Sequence, residues 1–459
     1  MTLNAKQNEA YNLFKDGKNL CITGSAGVGK TFLIKEFSEW ARYNNKKIGV
    51  TAMTGCAALL INGKTLHSWA GIGLGDGESE SLLKKVRINK TSRDKWLSVD
   101  ILIIDEVSML TSTLFNKLNY IATSIRKNMF SPFGGIQVIL VGDFYQLPPI
   151  KSDEFVFESE IFKKVINQTI ELTDIKRQSD KIFQDILNNV RVNKLTQDQI
   201  ELLDKRTYEH LELENPNIKE EIDSYEIKPT KIYTLKKDVK KINDDNLTKL
   251  GEEIKVFVPE TTVEPRKSYV FKRREIDMTV EIMDNNSSYE PCLKLCVKAQ
   301  VMLIINDNFE KGLVNGSRGV ITDFDSKNNP IVKFHNGETS TISKHGFEYN
   351  DDIKGKIIRS QYPLKLAWCI TVHKSQGMSI DLAEIDIGKK VFEYGQSYVA
   401  LSRVRNLEGL FLIKFDPTKI KCHPKVDKFF NEQSTNKKKP NNIINQLSID
   451  QFVERLVDA

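Results

Sequence analysis

Residues 21–37 read CITGSAGVGKTFLIKEF and contain the pattern Gly-x-x-x-x-Gly-Lys-Thr. An apolar, strand-like run precedes the pattern and helical spacing follows it, which is the context of a phosphate-binding loop. In such a loop, backbone N–H groups wrap the phosphates, and the helix N-terminus adds its positive dipole end. The sequence therefore predicts a nucleoside triphosphate site formed by Gly24, Ser25, Ala26, Gly27, Val28, Gly29, Lys30 and Thr31.

Two further apolar runs end in polar residues that suit phosphate chemistry. VDILIIDEVSML contains Asp105 and Glu106, and IQVILVGDFYQLPPI contains Asp143 and Gln146. Apolar runs of this kind are typical of central parallel strands, whose carboxyl ends meet at one edge of a sheet. We therefore expect these side chains to lie beside the loop.

Each of these residues has an expected role. Lys30 would reach the β- and γ-phosphates, Thr31 would ligate Mg²⁺, and Asp105 would hold the ion through water. Glu106 would orient or deprotonate the attacking water, and Gln146 would sense the γ-phosphate or that water. Kinases and GTPases share the loop and the first acidic strand, so these features alone leave the class of enzyme open.

The composition argues against a membrane or secreted protein. Of 459 residues, 40% are apolar and 28% are charged, as in a soluble globular protein with room for about three domains. No stretch approaches the ~20 apolar residues of a membrane span, and the N-terminus lacks a secretion signal. We expect an intracellular, soluble protein. The net charge of +6 permits a local basic groove without proving a nucleic-acid partner.

The six cysteines are scattered, which indicates reduced thiols. Cys292 and Cys296 have the spacing of half a zinc site, but no second pair or nearby histidine supplies the other ligands. We expect these two to be buried strand cysteines and expect no structural metal.

GDFYQLPP and DEVSML together resemble motifs of superfamily-one DNA helicases and, more narrowly, of the PIF (petite integration frequency) helicase family. The similarity runs in order through about residues 3–416. Residues 111–135 resemble the signature element that separates this family from RecD-type proteins. The chain starts at AKQNEA, which resembles the family's glutamine motif, so we expect no regulation by an N-terminal extension. The resemblance implies ATP and Mg²⁺ as cofactors.

The resemblance also assigns residues around the nucleotide. Gln7 matches the glutamine that recognises adenine, and Gln376 and Gly377 in AWCITVHKSQGMSID match nucleotide-binding positions. Arg177 in LTDIKRQSD matches an arginine facing the γ-phosphate, and Arg403 in YVALSRVRNLEGL matches the arginine finger. These arginines would approach from a second domain, so their engagement would couple hydrolysis to closure of the cleft.

The resemblance also indicates contacts with DNA in both motor domains. We expect hydroxyls and Lys374 to meet phosphates, while rings stack on or brace bases without reading sequence. A packed core pair is the alternative for His67 and Trp69. The candidate DNA contacts are Thr54, Gly55, His67, Trp69, Phe144, His373 and Lys374.

The expected fold class is α/β, with two RecA-like motor domains built on parallel sheets. Residues 1–175 would form the first, with a small strand-bearing wedge insert at about 72–97 for which a solvated loop is the alternative. Residues 176–289 and 359–432 would form the second. Short alternating strands in 290–358 indicate a small β-barrel, which the resemblance makes an SH3-like insert.

Residues 433–459 open with a polar linker and end with apolar residues at helical spacing. An amphipathic helix docked on the body is the expected structure. Gln446, Ile449 and Phe452 also resemble a sliding-clamp-binding box with one aromatic position missing. The alternative interpretation is therefore that this tail binds a sliding clamp.

The leading hypothesis is an ATP-dependent 5′-to-3′ DNA helicase that translocates on single strands and unwinds forked or tailed duplexes in replication, repair or recombination. The polarity comes from the resemblance. The alternatives are a RecD-like translocase subunit of a nuclease complex and a non-catalytic single-strand-binding module. We expect a monomer, with a single-strand-binding protein or sliding clamp as a possible partner.

Overall fold

The computed structural model describes residues 3–438 except 150–151, 179, 234–235, 267–268, 287–288, 309, 352–353 and 390. Residues 1–422 form one compact unit, in which two parallel sheets are joined by helices and antiparallel strands. Residues 423–459 form a second unit, whose described part is a helix, Pro424–Lys438.

The first parallel sheet has six strands in the order β3-β2-β4-β5-β1-β6. Its strands are β1 (Leu20–Gly24), β2 (Ile48–Ala52), β3 (Lys64–Thr65), β4 (Ile101–Asp105), β5 (Gln137–Gly142) and β6 (Gln168–Leu172). Its helices are α1 (Ala5–Lys15), α2 (Lys30–Tyr43), α3 (Gly55–Leu60), α4 (Leu66–Ala70), α5 (Ser79–Ile88), α6 (Lys90–Ser98), α7 (Ser112–Arg126) and α8 (Glu160–Val165). The central strands β1 and β4 are buried at every position, as their apolar runs predict.

Helix α2 shows how this sheet is covered. Its apolar residues recur at helical spacing and are buried, including Leu33, Phe37 and Ala41. Phe37 stacks on Phe14 of α1 with 4.1 Å between ring centroids. Burying a side chain of this size contributes about 1.5–3 kcal/mol, so this packing holds α2 against α1.

The expected strand-bearing insert at 72–97 is wrong in its secondary structure, because the segment forms α5 and most of α6. Leu82, Leu83 and Val86 give α5 one buried face. Asn89 caps α6 by accepting a hydrogen bond from the Ser92 N–H at 3.1 Å. The charged residues between these apolar positions lie on exposed helix faces rather than in a loop.

After β6 the chain forms four helices before it reaches the second parallel sheet. They are α9 (Lys181–Arg191), α10 (Gln197–Asp204), α11 (Tyr208–Glu214) and α12 (Ile218–Ser224), followed by β7 (Thr230–Tyr233) and α13 (Lys236–Lys249). An antiparallel region then comprises β8 (Lys255–Phe257), β9 (Glu260–Pro265), α14 (Arg273–Asn286), β10 (Leu293–Leu295), β11 (Gln300–Leu303), β12 (Arg318–Phe324), β13 (Pro330–Phe334), β14 (Thr339–Thr341), β15 (His345–Asp351), β16 (Gly355–Gln361) and β17 (Leu364–Leu366).

The chain then returns to complete the second parallel sheet, whose order is β18-β7-β19-β20. The returning elements are β18 (Cys369–Thr371), α15 (Val372–Ser375), β19 (Ala383–Ile387), α16 (Gln396–Leu401) and β20 (Leu410–Phe415). Met109 and Leu147, which follow strands of the first sheet, pack into the core cluster of the second. The two sheets therefore share apolar contacts as well as a cleft.

The antiparallel region is longer than the predicted insert at 290–358. β8 pairs with β10, β9 pairs with β16, and β17 pairs with β11, so the region runs from about residue 255 to 366. Its long-range pairs are invisible to a local reading of alternation, which explains the misplaced boundaries. Cys296 is buried here as expected, whereas Cys292 is exposed and the prediction for it was wrong.

The helices bear on two predictions, the absence of a membrane span and the position of the C-terminal linker. In the part that the structure describes, no helix has the length and apolar character needed to cross a bilayer. The terminal helix extends to Lys438, past the predicted start of the linker at 433. Gln446, Ile449 and Phe452 lie outside the described residues.

Candidate nucleotide site between the two parallel sheets

The phosphate-binding loop connects β1 to α2, as predicted. Gly27 has φ +86°, and a Cβ there would lie 2.5 Å from the Cβ of Arg177, so only glycine fits. The Lys30 ammonium donates to the Gly24 carbonyl at 2.7 Å and the Ser25 carbonyl at 2.9 Å. Burial lowers the pKa of Lys30 and the nearby carboxylates oppose that shift. The ammonium is thus folded over the loop, where phosphates would bind.

The acids at the end of β4 are buried beside this loop. Burial raises the pKa of Asp105 to about 6, although its carboxylate accepts the Glu106 N–H at 2.9 Å. Burial, and then the charge of Asp105, raises the pKa of Glu106 to about 7. A carboxyl with a pKa near neutrality is suited to accept a proton, as predicted for Glu106.

Three predicted residues meet at one point across the cleft. The side-chain amide of Gln376, which follows α15, donates to Glu106 Oε2 at 2.7 Å and to Gln146 Oε1 at 2.9 Å. Glu106 and Gln146 follow β4 and β5 of the first sheet. A side chain from the second sheet therefore contacts both groups expected to handle the attacking water.

Two arginines reach the same region from opposite sides of the cleft: Arg177 follows β6 of the first sheet, and Arg403 follows α16. Arg177 donates weakly to the carbonyls of Ser402 and Gly377, at 3.4 and 3.5 Å. Arg403 is 1% exposed and donates to neutral oxygens, such as the Val399 carbonyl at 2.9 Å. Burial, and then the positive charge of Arg177, lowers the pKa of Arg403 to about 9. An anion between these guanidinium groups would favour their charged forms and so oppose the lowering of the Arg403 pKa.

A cavity of about 890 Å³ joins these groups. Among the predicted residues, its walls include Ala26, Gly27, Gly29, Lys30, Thr31, Asp105, Glu106, Gln146, Arg177, Gly377 and Arg403. Its far wall holds residues that the sequence analysis did not single out, His335, Asp381 and Arg405 among them. No local signal marks these three, because the fold brings them to the cavity from the antiparallel region and the second sheet.

Gln7 is an exception among the predicted nucleotide contacts. It is 1% exposed, its Oε1 accepts the Asn4 N–H at 3.1 Å, and its Nε2 donates to the Val28 carbonyl at 3.2 Å. Its side chain therefore contacts the phosphate-binding loop. The contact with adenine stays a prediction.

Two predicted base-stacking residues belong to the core instead. Trp69 is 6% exposed and packs edge-to-face on Trp96, with 4.9 Å between ring centroids. Phe144 is 1% exposed and packs edge-to-face on Phe157 at 5.1 Å. Both rings are buried against other aromatic rings, so this arrangement does not present their faces to bases.

The remaining DNA candidates are more accessible. Thr54 and Gly55 are half-buried at the start of α3, where the Thr54 hydroxyl accepts the Ala57 N–H at 3.2 Å. His67 is half-buried, and burial lowers its pKa. His373 is exposed on α15, and the Lys374 ammonium beside it lies 3.6 Å from Glu290. These five residues remain candidates for a DNA path.

Comparison with known proteins identifies the family. The model described as "PIF1-like helicase" matches residues 2–201, and "DNA helicase Pif1, 2B domain" matches residues 281–324. "ATP-dependent DNA helicase PIF1" of Xenopus laevis is 36% identical over 99% of this chain and 67% of its own length. The chain belongs to the PIF1-like helicase family. The prediction of a PIF-family ATP-dependent DNA helicase is therefore confirmed, and the match favours this family over the RecD-like alternative.

Other matches set the extent of the likeness. "Uncharacterized protein 030L" of Invertebrate iridescent virus 6 is 35% identical over 97% of both chains, whereas the chain spans about two thirds of the Xenopus helicase. The crystal structure of Bacteroides sp. Pif1 in complex with ADP-AlF4 matches with TM-score 0.77 at 29% identity, covering 95% of this chain and 98% of that one. Bacteroides Pif1 bound to single-stranded DNA matches over the same shares, also at 29% identity, with TM-score 0.62. The expected α/β class with two RecA-like domains is confirmed.

Proposed function

We propose that this PIF1-like helicase couples ATP hydrolysis in the cleft to 5′-to-3′ movement along single-stranded DNA and so unwinds tailed or forked duplexes. The contact of Gln376 with both Glu106 and Gln146 is the observation that carries this proposal. It joins the second sheet directly to the groups that would handle the attacking water. Closure of the cleft and hydrolysis are then linked, as a translocating motor requires.

The chain's own residues supply most of the hydrolytic chemistry. Lys30 and the loop N–H groups would hold the β- and γ-phosphates, while Glu106 would take a proton from the attacking water and Gln146 would orient it. Arg177 and Arg403 would stabilise charge that develops on the transferred phosphoryl group. Both are positioned at the cavity without a fixed anionic partner among the contacts described above.

The residues present also fit Mg²⁺. The Thr31 hydroxyl and the Asp105 carboxylate both line the cavity, and these hard oxygen groups are the ligands that Mg²⁺ prefers. Burial raises the pKa of Asp105, and a nearby divalent cation would favour its ionised form. When bound, the ion would neutralise phosphate charge.

The DNA path would run over both motor domains through Thr54, Gly55, His67, His373 and Lys374. Contacts of this kind track the backbone and select single strands rather than sequences. The better match to the ADP-AlF4 complex than to the DNA-bound structure supports a further rearrangement when DNA binds. We also propose an SH3-like antiparallel region and a monomer that acts inside cells, with a single-strand-binding protein or sliding clamp as a partner.

The test measures ATP hydrolysis with and without single-stranded DNA, together with unwinding of partial duplexes that carry a 5′ or a 3′ tail. We expect DNA-stimulated hydrolysis and unwinding from the 5′ tail only. Lys30→Ala should abolish both, whereas Lys46→Ala, at an exposed position after α2, should abolish neither. Unwinding from the 3′ tail would overturn the polarity. Absence of DNA stimulation would mean that the two motor domains do not close on DNA, and would overturn the proposal.

A further inference from the structure

Helix α16 crosses the cleft between the two sheets. Its first turn follows Gly395, which has φ +70° and where a Cβ would lie 2.5 Å from the carbonyl oxygens of Tyr145 and Gln146. At its other end, the Ser402 carbonyl accepts the Gln178 side-chain N–H at 3.2 Å, and Arg403 follows. The helix thus begins against the first sheet's catalytic edge and ends at the expected arginine finger.

Tyr398 lies in the middle of this helix and is 2% exposed. Its hydroxyl accepts the backbone N–H of Ala26, in the phosphate-binding loop, at 2.9 Å. The same hydroxyl donates to Asp143 Oδ2 at 3.1 Å. A phenol has one proton to donate and can accept in return, so these two bonds use the group in both directions.

Asp143, which accepts the hydrogen bond from the Tyr398 hydroxyl, is also held by an arginine. Asp143 is fully buried and pairs with Arg191, whose Nη2 lies 3.0 Å from Oδ1. Arg191 also reaches Glu171 at 3.0 Å. Burial and the charge of Asp143 raise the pKa of Tyr398, so the hydroxyl keeps its proton at neutral pH. The charged pair remains complete without Tyr398, which makes the hydroxyl a separable part of the network.

We propose that Tyr398 is a positioning residue whose hydroxyl ties the phosphate-binding loop to α16, so that the state of the loop sets the position of Arg403. This inference rests on the proposed function, because it concerns the same hydrolytic site. The Ala26 N–H belongs to the loop that would surround the phosphates, and Tyr398 and Arg403 share one short helix. A change at the loop therefore reaches the arginine through a single rigid element.

The test uses Tyr398→Phe, which removes only the hydroxyl. Tyr289→Phe is the matched control, because Tyr289 is also 2% exposed and donates to Asp284 at 2.6 Å. Asp284 is likewise paired with an arginine, Arg359, at 2.8 Å. The control removes the same chemistry from the antiparallel region, away from the cleft.

Two readouts separate coupling from simple stability. Hydrogen exchange in the loop of nucleotide-free protein should rise about tenfold at Ala26 in Tyr398→Phe, as for loss of one hydrogen bond, and stay unchanged in Tyr289→Phe. The kcat for DNA-stimulated hydrolysis should fall about tenfold with KM for ATP within about twofold. In the Arg403→Ala background, Tyr398→Phe should cost little more, because the residue acts through that arginine.

Each contrary result has a distinct meaning. Unchanged exchange at Ala26 would show that the hydroxyl does not hold the loop, and would overturn the inference. If exchange at Ala26 rises but the kcat losses of Tyr398→Phe and Arg403→Ala are additive, the hydroxyl holds the loop without acting through Arg403. That result would overturn the coupling role alone. Wild-type protein without DNA-stimulated hydrolysis would instead refute the proposed function, while the exchange measurement would still report on the loop contact.

Discussion

The side-chain amide of Gln376 donates to the carboxylate of Glu106 across 2.7 Å, although Glu106 follows a strand of the first parallel sheet and Gln376 follows α15, beside the second. Separation of the sheets would break this bond and leave a buried carboxylate with one partner fewer. Since an unpaired buried charge is costly, the acid and the cleft favour the same closed arrangement. The residue expected to handle water therefore also takes part in a contact that spans the cleft.

The pKa of Glu106 predicts the pH dependence of hydrolysis. Because burial raises this pKa to about 7, the carboxyl is protonated at pH 6 and cannot act as a base. We expect kcat to rise with pH through about 7 and then level off. Glu106→Gln should lower kcat by about 10²–10⁴, and the kcat of this variant should no longer rise with pH. Steady-state hydrolysis between pH 5.5 and 8.5 checks both; a wild-type profile that is flat across pH 7 would refute the role.

The same shift predicts a stability change. A carboxyl whose pKa is raised on folding favours the folded state below its unfolded pKa of about 4.3, and this contribution is lost as pH rises through about 7. Glu106→Gln should therefore have a higher melting temperature than wild type at pH 8 and a similar one at pH 4.5. Glu281→Gln, at an exposed position on α14, should match wild type at pH 8. Equal melting temperatures of Glu106→Gln and wild type at pH 8 would contradict the raised pKa.

Arg403→Ala should lower kcat by about 10³–10⁵ and leave ATP binding nearly unchanged, because an arginine finger acts on the transition state. Arg87→Ala, in the exposed part of α5, is the control for loss of one positive charge. Turnover and equilibrium binding of a fluorescent ATP analogue measure the two quantities. A comparable loss of affinity and kcat would assign Arg403 to ground-state binding instead.

Gly395→Ala should impair closure. The new methyl group would lie 2.5 Å from the carbonyl oxygens of Tyr145 and Gln146, and φ of +70° adds about 1–2 kcal/mol of backbone strain. Gly251→Ala is a matched control, since φ is +67° there and no atom lies within 4 Å of the added carbon. We expect Gly251→Ala to melt slightly earlier than wild type, Gly395→Ala to melt earlier still, and only folded Gly395→Ala to lose DNA-stimulated hydrolysis. Equal activity in the two variants would mean that α16 does not need this close approach.

Trp69→Ala should destabilise the protein by about 3–5 kcal/mol, because the ring is packed against Trp96 in the core. Trp69→Ala should lower the apparent DNA affinity only in proportion to the fraction of the variant that is unfolded. His373→Ala, on the exposed start of α15, should weaken single-strand binding without changing the denaturation midpoint. Denaturant titration and DNA-binding isotherms of the two variants separate these outcomes, and a normal midpoint for Trp69→Ala would refute the core assignment.

Local motifs predicted the loop, the acidic strand ends and the first parallel sheet, whereas the second motor domain was expected from the resemblance. The reason is that Gly27, Lys30, Asp105 and Glu106 lie close in the fold because of short strand–loop–helix units, which the sequence displays directly. Arg177 and Arg403 were placed by resemblance, and the structure brings both to the same cavity.

Pairs between distant segments could not be predicted in the same way. Asp143 was recognised as a polar strand end, but nothing in the sequence marks Arg191 and Tyr398 as its partners. Likewise, the alternation of polar and apolar residues does not reveal whether Trp69 faces DNA or Trp96. These outcomes depend on which surfaces meet, and a single sequence does not record that information.

The second parallel sheet has a consequence for how the chain folds. Its neighbours β7 and β18 pair at Ile232 and Ile370, which are separated by roughly 140 residues. The antiparallel region therefore leaves the ribosome before β7 can find its partner, and closing so long a loop is slow. We expect β7 to stay unpaired during synthesis until the antiparallel region has collapsed and brought β18 back beside it. The order of translation thus makes the intervening region a folding scaffold for the motor domain that surrounds it.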